Sequence, residues 1–355
     1  MDSNQHNRAS EGAGLAGPAP GGHRLRERMV HRRKTVGFPS MKILCTIGKE
    51  YAPEAKKILE SLGAVDYATP TQDQLEKMIH TYTACVVQLG LRFDETVFTK
   101  APHLRVIATA TTSADHIDPR AAKKHGVTIL SLKGATSFLK TIPSTAEHTW
   151  GLLLALLRHI VPAADAVRSG RWESPKFRGN ELQGKTLGII GVGRLGTMVA
   201  RYGKAFGMNV IGFDERTIPK SVCRKVTLDQ LLKISDIVSI HIHLSEETEG
   251  MIGAKELSRM KPSAVIINTA RGKIVDEDAL LQALKSNRVA GYAADVLANE
   301  VRFGTHCAQD PLVRYAKTHG NVLLSPHIGG RTVEARTATD VFTAKSIAQW
   351  IHKHR

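Results

Sequence analysis

The chain has 355 residues, 42% of them apolar, and a formal net charge of +16 at pH 7. That length suits two domains, and the apolar fraction supports full-sized cores. Its longest apolar run, Trp150 to Leu157, is too short to span a membrane. Lys and Arg are scattered, without the basic element and interleaved aromatics of a nucleic-acid binder, so the charge reads as a general field attracting small anions.

Residues 1–40 are rich in Gly, Pro, Arg and His and lack periodic apolar positions, which predicts a disordered basic extension. Arg32-Arg33-Lys34 is not followed by an apolar segment, so export is not expected and a cytoplasmic location is. Cys45, Cys85, Cys223 and Cys307 form no C-x-x-C pair and read as reduced thiols, with no metal site expected.

From Met41 strand and helix patterns alternate. Strands are predicted at 42–47, 64–67, 85–89, 106–109 and 127–130, with helices at 52–62 and 71–81. Such alternation argues for a parallel sheet covered by helices. A long helix is predicted from Ser144 to His159, with Ser144 as N-cap after Pro143.

A second α/β unit follows. Leu187 to Ile190 reads as a buried strand, Gly191, Gly193 and Gly196 fall in G-x-G-x-x-G spacing, and the pattern turns helical from Thr197. The next strand, Asn209 to Phe213, ends in Asp214. This β-α-β unit has the parts of a dinucleotide site: a tight turn, close backbone approach to a pyrophosphate, and an acid for the ribose hydroxyls. Asp214 repels a 2′-phosphate and favours NAD, a choice that Arg216, two residues on, softens. Further strands are predicted at 237–240, 264–267, 291–294 and 322–324, and an amphipathic helix at 333–352.

Three chemically matched residues follow strands of this second unit, on the rim where open α/β sheets bind ligands. Arg271 lies in Asn268-Thr-Ala-Arg-Gly272, Glu300 in Asp295-Val-Leu-Ala-Asn-Glu300, and His327 in Ser325-Pro-His327. A guanidinium holds a carboxylate and polarises a carbonyl. A histidine supplies the proton that an alkoxide needs after hydride arrives. A carboxylate beside the histidine orients it and favours its charged form.

These motifs, with Gly188-Ile-Ile-Gly-Val-Gly-Arg-Leu-Gly196, Ala294-Asp-Val296 and Ser325-Pro-His-Ile-Gly-Gly330, resemble the D-isomer-specific 2-hydroxyacid dehydrogenases in order and spacing over residues 41–355. The resemblance implies an NAD-binding Rossmann domain at 144–325, inserted into a flavodoxin-like substrate domain of 41–143 plus 326–355. It implies Arg271 as the substrate arginine, His327 as general acid/base and Glu300 as its partner. The implied cofactor contacts are Gly191, Gly193, Arg194, Leu195, Gly196, Asp214, Thr248, Thr269, Ala270 and Asp295, the last holding the nicotinamide carboxamide. It implies a substrate loop, Ala110 to Asp118, whose backbone N–H groups at Thr112 and Ser113 face the substrate carboxylate.

Two departures stand out: Thr111 and Ser113 replace glycines of that loop, and His243 replaces the proline of a His-x-Pro-Leu run at His241 to Leu244. The resemblance further implies a homodimer built on the Trp150–Leu157 helix, and no C-terminal regulatory domain after Arg355. The expected activity is NAD-dependent interconversion of a small anionic 2-oxo acid and its D-2-hydroxy acid, with no nucleic-acid or membrane partner. Net charge leans toward a doubly anionic substrate, with Lys133 and Arg92 as second anion contacts. Formate- or phosphite-type oxidation on the same fold and an NAD-sensing corepressor-like role are the alternatives.

Overall fold

The computed structural model describes residues 41–303 and 306–354. The expectation for residues 1–40 lies outside them. Twelve strands form two parallel sheets among the described residues. The first contains β1 (Lys42–Cys45), β2 (Ala64–Tyr67), β3 (Ala84–Val87), β4 (Val106–Thr109) and β5 (Thr128–Leu130), in the order β2-β1-β3-β4-β5. That is the flavodoxin-like order. The second contains β6 (Thr186–Ile190), β7 (Asn209–Phe213), β8 (Arg224–Lys225), β9 (Ile237–Ile240), β10 (Val265–Asn268), β11 (Gly291–Ala294) and β12 (Val322–Leu324). Its order, β12-β11-β10-β9-β6-β7-β8, is the doubly wound arrangement that reverses direction between β6 and β9.

The central strands are continuous apolar runs because helices cover both faces of each sheet. Ile189, Ile190, Val238, Ile266, Ile267 and Tyr292 are fully buried in the second sheet. In the first, Ile43, Cys45, Val86, Val106 and Ala108 pack on one side against Ala344, Ile347 and Ile351 of the C-terminal helix, Val333–His354. That helix also packs along the Pro53–Glu60 helix, where Asp340 accepts from Ala52 N at 3.2 Å and its carbonyl from the Tyr51 hydroxyl at 2.9 Å. The chain thus leaves the first sheet after β5 and returns to it only at its end.

Three local expectations are corrected. The helix of the dinucleotide turn starts at Arg194, not Thr197, because its first turn, Arg194-Leu-Gly196, carries no amphipathic signal. Ser144 is the first helical residue and Pro143 the N-cap; the buried Ser144 hydroxyl has no partner among the described residues. The Ser144–Leu157 helix stops before His159, whose φ of 52° redirects the chain into a second helix, Ile160–Arg168. No helix among the described residues is long and apolar enough to cross a membrane.

Candidate active site

The C-terminal ends of both sheets face one cavity of about 620 Å³. The loops after β1, β2, β3 and β4 supply Gly48, Lys49, Thr69, Gln88 and Thr111–Ser113. The second sheet supplies Arg194, Leu195, His241–Leu244, Thr269–Arg271, Asp295 and His327, and the return to the C-terminal helix supplies Gly330, Arg331 and Arg336.

The dinucleotide turn is built by close backbone contact. Gly191 has φ +89°, and a Cβ there would lie 2.7 Å from the His241 carbonyl. A Cβ at Gly196 would lie 2.1 Å from the Gly191 carbonyl, so only glycine lets the helix sit on the turn. Gly193 faces open space apart from Arg216 Nη2, and the helix behind it leaves its first amides free for an anion. Asp214 accepts from Val192 N at 2.8 Å and from Arg216 N at 2.9 Å. Arg216 Nε and Nη2 also reach its two oxygens at 3.2 and 3.3 Å. Burial opposes its charge, but Arg216 and the Val192 amide hold the carboxyl below its ordinary range. These residues fit a dinucleotide: a glycine cradle that side chains would fill, a helix N-terminus and a ribose acceptor.

Arg271 and His327 both line this cavity, and Glu300, off its lining, backs His327. His327 Nδ1 lies 2.8 Å from Glu300 Oε1, leaving Nε2 as the ring's open nitrogen. The other Glu300 oxygen accepts from Leu297 N at 3.3 Å. Buried Asn268 shapes the Arg271 turn, accepting from Ala270 N at 3.0 Å and donating to the Arg271 carbonyl at 2.9 Å. A Cβ on Gly272 would lie 2.0 Å from the Leu297 carbonyl carbon, so glycine allows the Arg271 turn to press on the peptide preceding Glu300.

His327 itself has φ 54°, in the left-handed region that few residues other than glycine adopt. Asp295 over-determines it. The Asp295 main-chain carbonyl accepts from His327 N at 2.9 Å. Its carboxylate accepts from Ser325 Oγ at 2.6 Å, Ile328 N at 2.8 Å and Gly329 N at 2.7 Å. His148 Nε2 joins the network 2.9 Å from Ser325 Oγ and, less closely, 3.2 Å from Asp295 Oδ1. Burial works against the Asp295 charge, but these donors hold its carboxyl low. The carboxylate expected to face a carboxamide is therefore also the anchor of the histidine loop.

Other expected positions are placed as follows. Arg194 lines the cavity, with Nη1 donating to the Leu139 and Ile142 carbonyls at 2.9 and 2.7 Å. Thr269 shares a hydrogen bond with Thr149 at 2.8 Å. Thr248 is not on the cavity; its hydroxyl closes the turn after β9 by donating to the His243 carbonyl at 2.7 Å. Lys133 and Arg92 are also off it, whereas Lys49, Arg331 and Arg336, not singled out from sequence, line it. The amides of Thr112 and Ser113 donate to no protein acceptor among the described residues. Sequence reasoning also missed Asp115 as a partner of Arg271, and His148 and Ser325 as supports of Asp295. Their partners lie far off in sequence or carry no motif of their own.

The family model "D-isomer specific 2-hydroxyacid dehydrogenase, NAD binding domain" matches residues 150–329. The chain is 37% identical over 301 residues to a D-3-phosphoglycerate dehydrogenase of Methanocaldococcus jannaschii, covering 83% of this chain and 55% of that one. It is 36% identical to a hydroxypyruvate reductase of Thermotoga maritima, covering 78% and 87%. The chain spans about half the length of the phosphoglycerate dehydrogenases it matches. A D-lactate dehydrogenase from Aquifex aeolicus, solved with NAD and lactic acid, superposes with a TM-score of 0.77 at 29% identity, covering 88% of this chain and 96% of that one.

Proposed function

This chain belongs to the D-isomer-specific 2-hydroxyacid dehydrogenase family, and from that premise we propose that it reduces a small 2-oxo acid to its D-2-hydroxy acid, or runs the reverse. The observation that carries the proposal is His327, paired with Glu300 at 2.8 Å, lining one cavity with Arg271 and with Arg194 and Leu195 of the dinucleotide turn. NAD, when bound, supplies or accepts the hydride. Arg271 and the free amides of Thr112 and Ser113 bind the carboxylate, and Arg271 polarises the carbonyl. His327 Nε2 donates a proton to the developing alkoxide, and Glu300 at Nδ1 orients the ring. Lys49 and Arg331 add positive charge that attracts an anion into the cavity.

The reading takes 41–143 plus 326–355 as substrate domain and 144–325 as cofactor domain. It includes a homodimer; the Trp150–Leu157 helix expected to build it buries Trp150, Leu152, Leu153, Leu156 and Leu157 within the chain, and the exposed apolar side chains beside it are Ile160, Val161 and Val167 of the Ile160–Arg168 helix, with Trp172 after it. The test is NADH oxidation with a panel of 2-oxo acids, including glyoxylate, hydroxypyruvate, pyruvate and 3-phosphohydroxypyruvate. Turnover with at least one acid is expected, and His327→Ala should lower it by on the order of 10²-fold or more. Wild-type turnover in that variant contradicts the role of His327.

A further inference from the structure

The Arg271 guanidinium is held from both sides of the cleft. Its Nη1 donates to the Ala270 carbonyl at 2.7 Å, on its own sheet. Its Nε donates to Asp115 Oδ2 at 3.0 Å, on the loop after β4 of the other sheet. A guanidinium is planar with donors in a fixed fork, so tying two of its nitrogens sets the direction of the third. Nη2 donates to no protein acceptor among the described residues, and Arg271 lines the cavity. We propose that Asp115 is a positioning residue, which clamps Arg271 from the opposite domain and so selects the guanidinium edge offered to the substrate. The inference rests on reading Arg271 as the substrate arginine.

The loop is built to hold Asp115 in place. Its second carboxylate oxygen accepts from the Ser113 hydroxyl. The Thr111 hydroxyl donates to the Ser113 carbonyl and lies 3.0 Å from Thr109 Oγ1. Thr111 and Ser113 are the two positions where the resembling family has glycine, and both hydroxyls brace the turn that carries Asp115. Behind it, burial pushes the His116 imidazole down to about 4, so that ring is neutral at working pH and adds no competing charge. Burial also opposes the charge of Asp115, but the Ser113 hydroxyl and Arg271 hold its carboxyl below the ordinary range.

Two effects of Asp115 oppose each other. It orients Arg271, and its charge offsets the attraction of Arg271 for a substrate carboxylate. The Asp115 side chain is 46% exposed, so solvent screens the charge while leaving the orientation intact. Asp115→Ala removes acceptor and charge, whereas Asp115→Asn removes the charge and keeps a carbonyl acceptor for Nε.

The experiment measures kcat and KM with the best acid of the panel, together with NADH dissociation constants from nicotinamide fluorescence. Asp115→Ala is expected to lower kcat by about tenfold or more, since misorientation of a binding group costs rate at this scale. Asp115→Asn is expected to keep kcat within about threefold and to lower KM, and both variants to bind NADH as the wild type does. Wild-type kcat with lowered KM in Asp115→Ala overturns the proposal, because Asp115 then merely competes with substrate. Should the wild type turn over no acid, the activity falls by itself and the clamp is read from oxamate binding to the NADH complex. Asp115→Ala should then bind oxamate about tenfold more weakly than Asp115→Asn, the worth of one charge-assisted hydrogen bond. Equal affinities overturn the clamp.

Discussion

Replacing Asp295 by Asn tests how the histidine loop is held. Asp295 is 2% exposed, and its carboxylate meets Ser325 Oγ, Ile328 N and, at 3.2 Å, His148 Nε2 on one oxygen and Gly329 N on the other. An asparagine has one oxygen and one NH2 group. In either orientation its nitrogen faces a backbone N–H that now contacts Asp295 at 2.7 or 2.8 Å. One charge-assisted hydrogen bond is lost and one buried N–H is stranded, together about 2–4 kcal/mol. That is a large share of a typical folding stability of about 5–15 kcal/mol. The assay is urea unfolding, where the midpoint should fall at unchanged slope. Because the Asp295 carboxyl is held below its ordinary value of 3.8, its stabilisation is complete above that pH. It is lost as pH falls through the lower folded value, so the deficit of the variant should narrow only in strong acid. The loosened loop also frees His327 from its left-handed backbone, and kcat should drop by on the order of 10²-fold. A variant that keeps its midpoint and its kcat refutes the reasoning.

Arg216 pairs with Asp214 through two nitrogens and a main-chain amide, leaving the carboxylate little free capacity for ribose hydroxyls. Arg216→Ala should tighten NADH and weaken NADPH, widening the ratio of their dissociation constants by about tenfold in a fluorescence titration; an unchanged ratio contradicts this. Glu277 accepts from Ala298 N at 2.8 Å, and burial, then the charges of Asp310, Asp278 and Glu300, push its carboxyl up to about 7. A raised folded value means stability that is full below about pH 4.5, the unfolded value, and is lost as pH rises through about 7. Glu277→Gln should therefore melt with the wild type at pH 5 and above it at pH 8; equal melting temperatures at pH 8 would exclude that cost.

The strands were legible because parallel sheets bury both faces, leaving runs such as Leu187–Ile190 and Ile237–Ile240 flanked by turn residues. Short helices were not, since Glu95–Thr99, Pro119–Lys124 and Pro311–Ala316 hold too few turns for a period. Their N-caps Asp94, Asp118 and Asp310 were signals within reach. Arg271, Glu300 and His327 were readable from their place after strands, where one sheet edge gathers ligand-binding residues. Contacts between the two sheets were not readable. Asp115 meets Arg271 across 156 positions, and no local pattern announces such a pair. Nor does sequence show that the Thr248 hydroxyl, an expected cofactor contact, donates within its own turn to the His243 carbonyl.

The return of the C-terminal helix to the first sheet has a consequence for synthesis. The face formed by Ile43, Cys45, Val86, Val106 and Ala108 is completed by Ala344, Ile347 and Ile351, some three hundred residues after β1. The second sheet, by contrast, is contiguous from Thr186 to Leu324. On a ribosome the earlier sheet emerges first, and one of its faces has only the Pro53–Glu60 helix, through Ala55 and Leu59, as cover while the whole of the later sheet folds behind it. Closing so long a loop adds entropy cost slowly with length but delays the contact itself. The earlier of the two sheets is thus the later to be sealed, and an apolar strip on its surface waits for the Val333–His354 helix.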